Sequence, residues 1–381
     1  MTSWLSMDQA CRMLGVQPQT IYAYVSRGKL EAMPDPDEPR RSLYRPEDVN
    51  RLAKRKQEGR KYETLATNTL FGAEPSIPTS LSAFIRGHLY YCGRDAIELS
   101  KNATLEDVAG LLWGTAKPVV FSGNLPVALE KSGRACAFGT LANLAAVGHS
   151  THGRQKLVIL EEAQQLVSQV ANAFGARQKS NALIHEKFAK SWRQPKQVAE
   201  LFRRALVLLA DHELTSSAFA ARIASSTGAS LPSCLLAGLT TLSGPLHGDA
   251  SGRVQTLFVE VMRDGEERVL DRYLSAALPL AGFGHHLYPD GDPRAIALLE
   301  LFDPSKNIAR FIERVTDLTG LKPNIDVAIA ALVTKYKLPV DASFSLFATS
   351  RSVGLLAHIL EQLEMSQVIR PRGRYVGPMP T

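Results

Sequence analysis

The stretch Ser243-Gly-Pro-Leu-His247-Gly-Asp-Ala250 and, further along, Gly282-Phe-Gly-His285-His-Leu-Tyr-Pro-Asp-Gly-Asp-Pro-Arg294 each set a histidine among glycines. Glycine adopts positive φ and lets backbone approach a ligand closely, so a histidine in such a turn can offer its ring to a bound molecule. A third segment, Lys322-Pro-Asn324-Ile-Asp326, puts a carboxylate at the start of an apolar helix. Two imidazoles and one carboxylate are the parts needed to take a proton from carbon and stabilise the resulting enol. Each also has a plainer reading. An Asp after Pro-Asn is commonly a helix N-cap, and Arg351, in Ser-Arg-Ser-Val, could pair with a helix C-terminus. A lone histidine usually packs in a core or sits on a surface, as expected here for His88, His149, His152, His185 and His358.

Taken together, these segments resemble the citrate synthase family, whose motifs run S-G-P-x-H-G-G-A, G-F-G-H-R-V-Y-x-x-x-D-P-R-A and P-N-V-D. Asp211-His212-Glu213-Leu214 with Ala220-Ala-Arg222-Ile-Ala-Ser-Ser226-Thr-Gly228, and Leu89-Tyr-Tyr91-Cys-Gly93-Arg-Asp95-Ala-Ile97, extend the likeness in the family's order from about residue 65 to 378. The resemblance implies an all-α fold: a large helical domain of residues 81–249 and 349–381, with a smaller helical domain, residues 250–348, inserted. It implies condensation of acetyl-CoA, or another short acyl-CoA, with oxaloacetate to citrate and CoA, the entry reaction of the tricarboxylic acid cycle. Asp326 would be the base, His247 the donor to the thioester oxygen, and His285 the group polarising the ketone. His212, Arg294, Arg351 and Arg370 would hold oxaloacetate, Arg370 from the partner subunit of a homodimer; a hexamer is left open. Arginine's planar fork suits such a dicarboxylate. No permanent cofactor and no metal are implied, only a coenzyme A thioester as co-substrate.

Three residues depart from the family pattern. Asp249 replaces the second glycine of H-G-G, His286 replaces the arginine of G-H-R-V-Y, and Pro289 stands where a basic residue is frequent. The first adds negative charge two residues from His247 and the others remove cations, so a weaker hold on coenzyme A is expected.

Residues 1–60 read as a separate unit. Ser6-Met-Asp-Gln9 has capping-box spacing, Gly15 ends a short first helix, and Pro18 opens a second with Ile21, Tyr24 and Val25 on one face. Two helices around a glycine make a helix-turn-helix; Lys29 to Arg45 reads as a wing, and Pro46-Glu-Asp-Val49 starts a third helix. The unit resembles the winged helix-turn-helix of the MerR and excisionase type. Residues 1–62 hold 12 Lys/Arg against 8 Asp/Glu, so most of the chain's net +7 lies in this part. Gln17, Gln19, Thr20, Tyr22 and Arg27 could face DNA, with Arg40, Arg41, Arg45 and Lys54 to Lys56 on phosphates. The alternative to an enzyme is therefore a DNA-binding regulator whose larger part senses a dicarboxylate or acyl-CoA. Residues 61–80 read as a linker.

The composition, 45% hydrophobic and 21% charged, is that of a globular protein. The 26-residue uncharged run from Ile223 to Gly248 could suit a membrane span by length. Its eight Ser/Thr, four Gly and two Pro favour a buried helix-turn instead. Cys11, Cys92, Cys136 and Cys234 are widely spaced, which argues against zinc and disulfides and fits a reducing cytoplasm. The N-terminus lacks the pattern of a secretory signal. No sustained strand alternation is evident from residue 81 onward.

Overall fold

The computed structural model of the chain describes residues 4–16, 18–26, 29–36, 38, 41–52, 77–121, 132–177, 182–365, 367–370 and 377. It divides into two compact units, Met1–Pro78 and Thr79–Thr381.

In the first unit α1 (Met7–Leu14) opens on the capping box read from the sequence. Ser6 Oγ accepts from Gln9 N, Gln9 Oε1 accepts from Ser6 N at 2.8 Å, and Gly15 closes the helix at φ 57°. Helix α2 (Pro18–Ser26) follows, then an antiparallel hairpin of β1 (Ala32–Pro34) and β2 (Ser42–Tyr44), which is the wing, and α3 (46–52). Ala10, Leu14, Ile21, Leu30, Tyr44 and Val49 form its core, with Tyr24 and Val25 packed against them. Leu5 bridges to Tyr44, tying the start of the chain to the wing.

The second unit is helical apart from one small sheet that the sequence reading did not anticipate: β3 (Ser82–Ile85), β4 (His88–Tyr91) and β5 (Arg94–Asp95). Strands this short show no alternation. The signal lay in their turns: Arg86-Gly87 and Cys92-Gly93 are two-residue hairpin loops with both residues at positive φ (51°, 83°; 46°, 79°), the geometry that matches strand twist.

Fourteen helices follow among the described residues: α4 (Ala96–Asn102), α5 (Leu105–Trp113), α6 (Arg134–Val147), α7 (Lys156–Phe174), α8 (Ile184–Ser191), α9 (Lys196–Leu209), α10 (Ser216–Ser226), α11 (Leu231–Leu242), α12 (Ala250–Asp264), α13 (Glu266–Ser275), α14 (Pro293–Leu299), α15 (Lys306–Thr319), α16 (Ile325–Lys335) and α17 (Ala342–Met365). Thr104 and Asp107 cap α5 reciprocally. The uncharged run forms the end of α10, the packed helix α11 and the turn after it, as expected of a buried helix-turn. Among the described residues no helix is long and apolar enough to cross a membrane.

Helix α17 is the axis of this unit. It is buried at every position from Ala342 to Leu360 and packs against α5, α7, α9, α10 and α11. A helix apolar on all sides belongs inside. The polar residues in its Ser/Thr-rich first half are accommodated by back-bonding, for example Ser352 Oγ to Ala348 O at 2.7 Å, and by Ser350 donating to Leu206 O on α9. That half hid the start of the helix, which precedes Arg351, so residue 348 lies inside one unbroken helix. Helices α12 to α16 pack on each other, with Phe311 meeting Phe258 and Phe283 edge-on.

Each unit has its own core, so removal of residues 1–78 should leave 79–381 soluble with one cooperative thermal transition. An insoluble or non-cooperative fragment, judged by circular dichroism melting, would refute this.

Candidate active site

The site is assembled from chain segments far apart in sequence. The first is the end of α9. Tyr91, fully buried on β4, donates its hydroxyl to the cluster of Val207 O (3.1 Å), Leu208 O (3.3 Å) and Asp211 O (3.2 Å). Ser82 Oγ donates to Asp211 Oδ2 at 2.5 Å and accepts from Glu213 N at 3.0 Å. The small sheet thus braces the turn that carries His212, a turn sharp enough to hold Glu213 at φ 62°. His212 Nε2 lies 3.0 Å from Tyr288 Oη.

The second segment is the loop between α13 and α14. His285 Nδ1 accepts from Leu287 N at 3.2 Å, so in the neutral ring the proton sits on Nε2. The rings of His212 and His285 meet edge to face at 5.6 Å, and Tyr288 touches both. Gly282 is required here: at φ 81°, a Cβ would fall 2.5 Å from Val254 on α12 and 2.7 Å from Val327 on α16. Exposed His286 stacks on His285 with ring centroids 4.8 Å apart.

Asp292 joins this loop to α16. Its carboxylate grips Arg294 (Nε to Oδ1 3.0 Å, Nη2 to Oδ2 2.8 Å) and accepts from Arg294 N at the start of α14 and from Ile325 N at the start of α16. The guanidinium lies over the Tyr288 ring. The N-cap of α16 is Asn324, which accepts from Asp326 N at 3.0 Å. Asp326 is therefore not the cap. It occupies the second position of the helix, buried, with Oδ1 unbonded among the described residues.

Arg351, on α17, is buried. Its Nε donates to Leu209 O at the end of α9 (3.0 Å), which meets the helix-C-terminus reading, and its guanidinium lies over Phe347. Its terminal nitrogens make no hydrogen bond among the described residues. His247 Nε2 is 2.8 Å from Ser217 Oγ on α10, and Gly248 beside it leaves no room for a Cβ against Leu242.

Electrostatically this is an acid–base cluster. Burial, set against the nearby Arg294, pushes the Asp326 carboxyl up to about 7. Burial, with Arg351 adding to it, lowers His247 to about 4, and burial with Arg294 lowers His285 to about 4. His212 is held well below the usual imidazole range by burial and by both arginines. Burial would raise Asp292, but Arg294 overrides it and keeps Asp292 ionised. Near neutral pH the site thus holds neutral imidazole donors, a carboxyl poised to titrate and two buried cations.

Of the residues read from the sequence, His212, His247, His285, Arg294, Asp326 and Arg351 come together. Arg370 is exposed and joins none of these bonds. Ser217, Tyr288 and Asp292 were missed: the last two lie inside the quoted motif, whereas nothing in Thr-Ser-Ser marks Ser217. His358, expected in a core or on a surface, is buried and lies 3.3 Å from Asp211 beside His212. His88, His149 and His152 are outside the cluster and exposed; His185 is buried elsewhere. The negative charge of Asp249 is not free: Arg134 pairs with it (Nη2 to Oδ1 2.6 Å, Nη1 to Oδ2 3.2 Å). Of the candidate DNA contacts, Tyr22 is exposed, Thr20 half-buried, and Arg41 and Arg45 are exposed in ion pairs with Glu38 and Glu31. Gln17, Arg27, Arg40 and Lys54 to Lys56 lie outside the described residues, as does the side chain of Gln19. Among the described residues no group of His, Cys, Asp and Glu could hold a metal ion.

A helical body closing on neutral imidazoles, a titratable buried carboxyl and paired arginines defines an acid–base enzyme for an anionic substrate. The sequence model for the citrate synthase C-terminal domain matches residues 136–372, and that for a helix-turn-helix domain matches residues 4–57. The chain is 32% identical to citrate synthase of Haloferax volcanii, across 76% of this chain and 90% of that protein. It is 37% identical to citrate synthase 2 of Bacillus subtilis, across 47% of this chain and 51% of that one. Among the solved structures that share the fold are two citrate synthases. Citrate synthase from Thermotoga maritima does so with TM-score 0.66 and 24% identity, over 84% of this chain and 97% of that one. Citrate synthase from Thermoplasma acidophilum, in its ternary complex with carboxymethyl coenzyme A and oxaloacetate, does so with TM-score 0.65 and 22% identity, over the same shares. The chain belongs to the citrate synthase family, here joined to an N-terminal helix-turn-helix domain.

The shifted groups make stability depend on pH. Between about pH 4 and 7 unfolded Asp326 has lost a proton that the folded chain keeps, so its contribution falls as pH rises. The histidines act oppositely: from about pH 4 to 6.5 the unfolded rings hold protons that folded His247 and His285 do not, so stability rises with pH. Asp326→Asn removes only the first effect. Its stability relative to wild type should climb between pH 4 and 7 by on the order of 4 kcal/mol and level off above. Urea titrations at stepped pH measure this; parallel curves would disprove a buried protonated Asp326.

Proposed function

We propose that the chain condenses acetyl-CoA, or another short acyl-CoA, with oxaloacetate to give citrate and CoA, with Asp326 as the base. The observation that carries this reading is the buried Asp326 carboxyl, unbonded at Oδ1 and raised to about 7. Such a carboxylate is a stronger base than a solvated one and becomes available near neutral pH. It removes a proton from the thioester methyl group while neutral His247 donates a hydrogen bond to the thioester oxygen. Without that donor the proton is too weakly acidic to leave. The enol carbon then bonds to the ketone carbon of oxaloacetate, whose oxygen is polarised by the Nε2 proton of His285. Water cleaves the citryl thioester, releasing citrate and the CoA thiol. Arg294, Arg351 and His212 hold the dicarboxylate, and Tyr288 and Asp292 keep His212 and Arg294 in place. No resident cofactor enters these steps.

Arg370, exposed in its own subunit, completes the oxaloacetate site of a partner in a homodimer. The outer face of α6, with Ala135, Ala142, Ala146 and Val147 exposed, supports such an assembly. Helices α12 to α16 act as the smaller domain, which the sequence placed at residues 250–348 and which ends before α17, and it moves against the larger. The four cysteines are free, which supports a cytoplasmic setting. The helix-turn-helix unit with its wing supports a second role, DNA binding through the α2 region around Thr20 and Tyr22, by which substrate occupancy could be read out on a promoter. Loss of salt-sensitive DNA retention on removing residues 1–78 would accompany that role.

Mixed with oxaloacetate and acetyl-CoA, the protein should release free thiol. Asp326→Asn should lower turnover about 10²–10⁴-fold or more while oxaloacetate still binds by calorimetry. Wild type that binds oxaloacetate but releases no thiol would replace the enzyme reading by the sensor reading.

A second variant addresses the partner subunit. Arg370→Ala should cost roughly 2–5 kcal/mol of oxaloacetate affinity, the worth of a charged partner in a desolvated site, and leave the dimer intact by sedimentation. Unchanged affinity would remove Arg370 from the site.

A further inference from the structure

The departure at Asp249 comes with its own counterpart. Arg134, at the first position of α6, holds both carboxylate oxygens of Asp249. The guanidinium also lies 4.0 Å from the centroid of Phe344 on α17, and its backbone nitrogen donates to Asp341 Oδ2 at 3.3 Å. Gly252, one turn into α12, leaves the space the carboxylate fills, since a Cβ there would stand 3.0 Å from Asp249 Oδ1. Three helix starts, of α6, α12 and α17, are thereby fastened at one point.

This point is the downstream end of the turn that carries His247. The upstream end is set by Gly248 N donating to Leu242 O (2.9 Å), and the turn is closed by His247 N and Asp249 N both donating to Gly244 O (2.9 and 3.3 Å). His247 stands between these fixings, with its ring on Ser217. The pair's side chains are about 31% and 25% exposed, too open for the charge pair to add much stability by itself. Its two-pronged geometry instead restricts direction.

We propose that Arg134 and Asp249 are positioning residues for His247, fixing the turn so that the ring meets the acyl thioester, and that Asp249 does not act as a charge opposing coenzyme A. The proposal rests on the reading of His247 as the thioester donor. It reverses the consequence expected of the sequence departure: restoring glycine at 249 harms the site, because Arg134 loses its partner and the turn its anchor.

The test compares Asp249→Gly, Arg134→Gln and, as a conservative change that keeps the two-pronged pair, Asp249→Glu. In the first two, kcat/KM for acetyl-CoA should fall about 10- to 100-fold, the effect of a displacement near 1 Å at a catalytic group. Oxaloacetate affinity should stay within twofold and the melting temperature within a few degrees, and Asp249→Glu should recover most of the loss. A second readout needs no turnover: in protein labelled with ¹⁵N-histidine, the His247 ring signals should change from one tautomer to an average in Asp249→Gly and Arg134→Gln. Asp249→Gly matching or exceeding wild type, or ring signals unchanged in both variants, overturns the proposal. If wild type releases no thiol, the citrate synthase reading fails separately, and the ring signals alone decide for or against the pair.

Discussion

The carboxylate of Asp292 is the constraint on which the site depends. It is buried, ionised and fully engaged: two oxygens hold the Arg294 guanidinium and the first backbone nitrogens of α14 and α16. A buried arginine is costly unless paired and hydrogen-bonded. Asp292 meets that cost for Arg294 and simultaneously places α16, and with it Asp326, next to the histidine loop. Oδ1 of Asp326 in turn has no hydrogen-bond partner among the described residues, and burial holds the carboxyl's proton on. Two aspartates within one site, one satisfied and ionised, one unsatisfied and raised, are separated in behaviour by what surrounds them.

The small sheet plays an unexpected part in this arrangement. Tyr91 and Ser82 satisfy the orphan carbonyls and the sharp turn at the end of α9, where His212 leaves the helix. Arg351 supplies another donor to the same helix end from α17. Helix termini need such partners when buried, and here the partners bring sheet, α9 and α17 to the His212 side of the cluster. His358 and Asp211 continue the polar contact into the core behind it.

The chain thus combines the family's motif residues with a local departure beside His247. A glycine-rich turn elsewhere in the family pattern is here tied by a charge pair to α6. The substitution that looked electrostatically adverse in the sequence becomes, with Arg134 next to it, a mechanical element.

Much was legible from residues in order. The glycine-flanked histidines, Asp-His-Glu-Leu, the Pro-Asn-Ile-Asp helix start and the arginines of Asp-Pro-Arg and Ser-Arg-Ser-Val pointed to the helical family and to six of the residues that meet in the site, because motif spacing survives in linear order. The capping box at Ser6 was readable because it is a local hydrogen-bond pattern. Other features depended on distance in space. Three strands of two to four residues leave no periodicity, and the buried first half of α17 is too rich in Ser and Thr to announce a helix. Ser217, thirty residues from His247, became its partner only by packing of α10 against the turn. Whether Asp326 capped its helix or was left free of that role was decided by Asn324 taking the cap. Whether Asp249 carried a free charge was decided by Arg134, 115 positions away. Sequence specifies which groups are present and how local backbone closes on itself; burial and pairing, which set their charge and their reach, arise only when distant segments share one low-dielectric interior.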